Sequence, residues 1–218
     1  MTTTETTPDL LGMRYAHRMM RFDLHRFTDL ARRLAAGEPC DDRRAAAIVA
    51  WLRTLRQEIH HHHTVEDELC WPLIERSAGA EIDLEVLSED HRALDPLLDQ
   101  LHAATSAFAA GPDRRAAAGP LLAILTTIRD ELDEHIESEE ASVFPVVERY
   151  VSAQDWAELE KAIRKGGPPI GFVLPRFEAV MRPEERAQVR AAAGRVMFAL
   201  LALLRPGFKR KERLVFGG

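Results

Sequence analysis

Imidazole and carboxylate recur in this chain at one spacing: His62 and Glu66 are four residues apart, and so are His135 and Glu139. On a helix that spacing puts both side chains on one face, where they can ligate a single divalent cation. The two pairs open a repeated segment, in which HHTVEDELCWPLIER at 62–76 aligns without gaps with HIESEEASVFPVVER at 135–149. His, Glu, Pro, Glu and Arg coincide, and Trp71 matches Phe144. The offset is 73 residues, while His17-Arg18 and His91-Arg92 repeat at 74. Two halves, each with one lone His and one His-x-x-x-Glu, predict a site of approximate twofold symmetry. His25 has Asp99 at its equivalent place and falls outside the pattern.

The elements that must position these residues read as helices. Four long stretches, 8–36, 41–76, 81–110 and 113–150, are separated by Gly37-Glu38-Pro39, Ser77-Ala78-Gly79 and Gly111-Pro112-Asp113. Gly or Pro after a helix and Asp or Ser before one are stop and start signals, and no β-type alternation of any length occurs. Long helices with short connections pack as antiparallel neighbours. The expected fold is therefore all-α, an antiparallel up-down four-helix bundle over 1–150, with additional C-terminal helices over 151–218.

Alternate steps of four and three residues mark the core-facing line of each helix. The second gives Ile48, Leu52, Leu55, Ile59, His62, Glu66, Leu69 and Leu73; the fourth gives Leu121, Leu125, Ile128, Leu132, His135, Glu139, Ser142 and Val146. His17 interrupts the first line and His91 the third. Counted from the turns at about 1.5 Å per residue, these interruptions fall at one height, within a few ångströms. Burying so many ionisable groups in an apolar seam is costly unless each is paired or ligated. A polar core network is the plainer alternative, but six such groups from four helices favour a metal site. The donors are His17, His62, Glu66, His91, His135 and Glu139. Without thiolates they suit iron, manganese or zinc. Symmetric halves suggest two ions with two imidazoles each, bridged by Glu66 and Glu139, and with open positions for a small ligand.

On these residues the chain resembles the hemerythrin-like family, the HHE cation-binding domains. The resemblance covers about residues 10–150 and is carried by His17 in HRMMRFDL, His62 and Glu66 in HHTVEDELCWP, His91 in EDHRALD, and His135 and Glu139 in HIESEEASVFP. It implies a non-haem, oxo- or hydroxo-bridged di-iron centre, with Mn or Zn as substitutes, that binds, senses or reacts with oxygen, peroxide or nitric oxide. The oxygen carriers of the family use a His-x-x-x-His segment on the third helix; here Asp95 stands four residues after His91. That departure points to peroxide or redox chemistry, or to sensing, rather than reversible carriage.

The remaining residues carry plainer readings. Of His60, His61, His62 and His63 only His62 lies on the seam, so His63 is expected to flank the site and the others to be solvated. Asp67 and Glu140 could orient imidazoles. Cys70 is expected to pack as a small apolar group, and Pro72 and Pro145 to bend their helices. Cys40 and Cys70 are the only cysteines, which excludes a disulfide framework and a thiolate zinc site. A net charge of −6 argues against nucleic acid as partner. The opening MTTTETTPDLLG lacks the basic and apolar stretches of a signal peptide, which predicts a cytoplasmic protein. In the extension, 152–165 and 183–204 read as helices separated by Gly166-Gly167-Pro168-Pro169. The nine apolar residues VMFALLALL fall short of the ~20 that span a bilayer. They predict a helix docked on the bundle rather than a membrane contact. A metal or oxygen sensor without turnover, reporting through this extension, is the alternative to a reactive centre.

Overall fold

The computed structural model describes residues 7–163 and 166–217. The chain folds as α1 (Leu11–Ala35), α2 (Asp42–Val65), a five-residue π-turn (Glu66–Cys70), α3 (Trp71–Ala78), α4 (Glu85–Ala110), α5 (Arg114–Tyr150), α6 (Ala153–Ile163), α7 (Ile170–Val180) and α8 (Glu185–Phe216). No strand occurs among the described residues, and none of their helices is long and apolar enough to cross a membrane. The fold is the expected all-α bundle with extra C-terminal helices.

Local chemistry explains the boundaries. The Asp41 side chain accepts from Arg44 N at 2.7 Å, and Asp113 accepts from Ala116 N at 3.0 Å, so each caps the helix it precedes. Gly37 closes α1 at φ +106°, a backbone region that side chains with a Cβ rarely adopt. In the bundle α5 packs against α1 and α4, and α4 against α2, while α1 and α2 touch each other little. That open side is closed by the extension: α7 lies on α1, α8 lies on α2, and both meet each other.

Two apolar clusters sandwich the polar layer. The larger includes Leu24, Phe27, Trp51, Leu55, Ile59, Leu98, Phe108, Leu125 and Ile128, together with Phe172, Phe208 and Val215 from the extension. The smaller, at the other end, gathers Cys70, Trp71, Ile74, Leu84, Leu87, Val143, Phe144, Val147, Trp156 and Leu159. Cys70 packs there as a small apolar group, buried as expected.

The seam holds as far as the glutamates and then shifts by one residue. Leu69 is 40% exposed, and Cys70 and Ile74 are buried in place of Leu69 and Leu73. The cause on α2 is the π-turn, where Trp71 N bonds to Glu66 O five residues back and an extra residue enters the turn. Pro72, which has no N–H to give, follows it directly. On α5, Val143 and Val147 are buried rather than Ser142 and Val146. There α5 faces the short α3, and its core line follows that new neighbour. α5 continues through Pro145 as one helix to Tyr150.

The extension differs in detail from its expected form. The end expected at Lys165 lies outside the described residues. α7 was not expected, and α8 runs twelve residues past 204, as two helical pieces meeting at Gly194 with φ +68°. Arg18 and Tyr15 fasten its start: Glu185 accepts from Arg18 at 2.8 Å and from the Tyr15 hydroxyl at 2.9 Å. Burial pushes the Glu185 carboxyl up, but Arg18, the Arg182 backbone N–H and Tyr15 outweigh it and hold it at about 2. A depressed carboxyl stabilises the fold above its unfolded value and loses that contribution as pH falls toward the folded one. The protection factor of the first turn of α8, taken against the intrinsic exchange rate at each pH, is therefore expected to fall between pH 4.5 and 2, by the equivalent of about 1 kcal/mol of local stability for a pair at the protein surface. Glu185→Gln should flatten that dependence.

Candidate metal centre

Each ring at the polar layer is aimed by its own helix and held by a neighbour. His17 on α1 turns Nε2 inward, 3.0 Å from His62 Nε2 of α2. His91 on α4 does the same to His135 of α5, at 3.1 Å. Both glutamates reach between them. Glu66 Oε1 lies 3.0 Å from His62 Nε2, and its Oε2 lies 3.6 Å from His91 Nε2. Glu139 Oε2 is 3.4 Å from His17 Nε2 and 3.8 Å from His135 Nε2. All six residues expected from the sequence thus meet in one layer, and His62 alone is more than slightly exposed.

The outer ring nitrogens face carboxylates. His17 Nδ1–H donates to Glu140 at 2.9 Å, His91 Nδ1 lies 3.1 Å from Asp67, and His135 Nδ1 lies 3.3 Å from Asp90. Asp67 is in turn fixed by the Ser88 hydroxyl at 2.7 Å. The twofold relation appears in these contacts. His17 is served by the residue after Glu139 and overlain by Phe144, and His91 by the residue after Glu66 and overlain by Trp71. The repeated aromatic-Pro pairs therefore supply the ring that covers the opposite half's lone histidine.

One residue breaks the symmetry. His63, expected only to flank the site, is buried, stacks on His91 at 4.3 Å between centroids, and joins His91 and His135 in one group of donors. Its counterpart in the repeat, Ile136, is equally buried. The donors then sort into two groups, His63, Glu66, His91 and His135 on one side and His17, His62, Glu66 and Glu139 on the other. Asp90 was also missed. Asp95 and His25 lie elsewhere: Asp95 is exposed near His60 at 3.4 Å, and His25 pairs with Asp133 at 2.7 Å.

These groups fit a cation better than one another. When Nδ1–H points at a carboxylate, a neutral ring carries its lone pair on Nε2. His91 and His135 then point lone pairs at each other, which is repulsive without a positive charge between. Both oxygens of Glu66 and of Glu139, and His63 Nε2, are buried with no hydrogen-bond partner, at a desolvation cost of about 1–3 kcal/mol apiece or more. The electrostatics are strained in the same sense. Burial and the charge of Glu66 push Glu139 well above the carboxylate range. Burial also pushes Glu66 up, yet His62, His17 and His63 hold it well below. Burial works against a charged His17, but Glu139, Glu140 and Glu66 raise it to about 10. Burial and His91 bring His135 down to about 4. Protons shared over these groups do poorly what a cation would do well.

An antiparallel helix bundle with His and Glu groups converging at mid-height defines a metal-binding helical protein. A family model, the hemerythrin HHE cation binding domain, matches residues 12–162, and the chain belongs to that family. No curated protein and no solved structure matches it.

Proposed function

We propose that the chain holds two iron ions in its polar layer, bridged by Glu66 and Glu139, and that a small ligand, dioxygen, peroxide or nitric oxide, reaches one of them. The observation that carries this reading is the inward convergence of imidazole nitrogens whose outer nitrogens face Glu140, Asp67 and Asp90. His63, His91 and His135 would hold one ion, and His17 and His62 the other. When bound, the ions supply redox chemistry and Lewis acidity. The chain's own part is to keep the rings in one tautomer through those carboxylates and to exclude water with the apolar clusters on either side. With three imidazoles against two, the His17/His62 side has the fewer donors and is the side left open to a ligand. Manganese or zinc could take the same donors.

Elemental analysis of purified protein tests the reading: two irons per chain and a near-ultraviolet oxo-bridge band are expected, and a metal-free, correctly folded chain would refute it. His63→Ala is expected to weaken only the three-histidine side, by more than the roughly 10- to 100-fold that losing a ligand's outer partner costs, so that titration shows one tight and one weak ion. Two unchanged sites would return His63 to a flanking role. One contact favours the sensor reading as a second. Arg176 of α7 is buried between Asp23 of α1 and Glu58 of α2, a turn or two from His17 and His62, so occupancy could be felt by the extension. Hydrogen exchange in α7 that is identical with and without metal would remove that reading.

A further inference from the structure

A cavity of about 170 Å³ lies between α1, the π-turn and α6, and it reaches His62 and Glu66. Met13, Val65, Trp156 and Ile163 give it an apolar lining, and Glu160 adds one carboxylate. Its size is out of proportion to a diatomic ligand. An apolar cavity of about 150 Å³ holds benzene, six heavy atoms, whereas dioxygen, nitric oxide and hydrogen peroxide have two each.

A glycine shapes one wall. Glu160 sits against Gly12 so closely that a Cβ on residue 12 would lie 2.5 Å from its Oε1. The glycine thus leaves room for the carboxylate at the cavity wall. The chamber also touches the two-histidine group and not the three-histidine one: of the ring donors only His62 lines it.

We propose that this cavity binds a short-chain alkyl hydroperoxide of about six heavy atoms, its oxygen end toward His62 and Glu66 and its alkyl body against Met13, Val65 and Ile163. The binding is non-covalent and is decided by size and by apolar contact. It rests on the preceding reading only for the choice of an oxygen-bearing head.

The test uses the full-length chain loaded with zinc, which does not consume the probe, and follows the Trp156 indole N–H by NMR, assigned by its loss in Trp156→Phe. Titration with tert-butyl hydroperoxide is expected to shift that resonance saturably, and hydrogen peroxide at the same concentration is not. Ala16→Leu from α1 and, independently, Ile163→Trp from α6 should plug the cavity and weaken the probe about tenfold or more while zinc content is unchanged. No saturable shift, or an equal affinity in the plugged variants, overturns the proposal. Two irons per chain with no shift would leave the di-iron reading standing and remove only this ligand. A saturable shift in a chain that holds no metal would do the reverse.

Discussion

Glu66→Ala is expected to lower the metal content from two ions per chain to one. Glu66 is the side chain shared by both donor groups, with Oε1 beside His62 at 3.0 Å and Oε2 beside His91 at 3.6 Å. Without it the His63/His91/His135 side keeps three imidazoles, enough to hold one ion. The other side keeps His17, His62 and Glu139, also three donors but one imidazole fewer, so it is the side expected to give up its ion when metal is limiting. Elemental analysis and calorimetric titration give the count directly. Two ions retained in Glu66→Ala combined with Glu139→Ala would refute bridging by these residues. The variant also relieves a repulsion, since burial and the charge of Glu66 push Glu139 up. Loss of metal is therefore not expected to bring loss of fold.

Arg176→Met should have the largest effect on stability. The guanidinium is 0% exposed, as is Asp23. Its Nε lies 2.9 Å from Asp23 Oδ2, and Nη1 lies 2.7 Å and 3.0 Å from the two oxygens of Glu58. A further N–H donates to Met19 O, and Trp51 donates to Asp23 at 2.7 Å. Even with the arginine present, burial leaves Asp23 and Glu58 above their ordinary values. Removing the cation that contacts both carboxylates costs about 3–5 kcal/mol, read as a lower midpoint in urea. The sign of the pH dependence follows. Carboxyls raised in the folded state take up protons on folding, so the variant should regain stability as pH falls toward their unfolded values, 3.8 for Asp and 4.5 for Glu. Adding Asp23→Asn and Glu58→Gln should restore most of the loss at neutral pH. An unchanged midpoint in Arg176→Met would show that the extension is held by apolar packing alone.

Much of the site could be read from the chain because helices translate spacing into height. His17, His62, His91 and His135 lie on their seams, and the two glutamates follow by one turn. His63 could not be read that way. A seam is a line, but a polar layer with two groups of donors reaches around a helix, and residues 62 and 63 can both face it. The available signal was the His-His doublet set against His135-Ile136 in the repeat. Asp67 and Glu140 were legible as imidazole partners because they follow the glutamates; Asp90, before His91, offered no such cue. The π-turn was hidden, since hydrophobic spacing does not record an extra residue in a turn until its consequences, a buried Cys70 and an exposed Leu69, are seen. Arg176 was hidden for another reason. Its segment, IGFVLPRFEAV, follows two prolines and contains a third, and nothing local says that an arginine there will meet acids from α1 and α2.

The unequal pair His63 and Ile136 bears on ancestry. Two identical helical hairpins that associate as separate molecules must present the same residue at equivalent points, so both ends of such a centre stay alike. Fusing the hairpins into one polypeptide lifts that constraint, and each copy becomes free to specialise: a fifth imidazole can stand in one copy where its sister carries isoleucine.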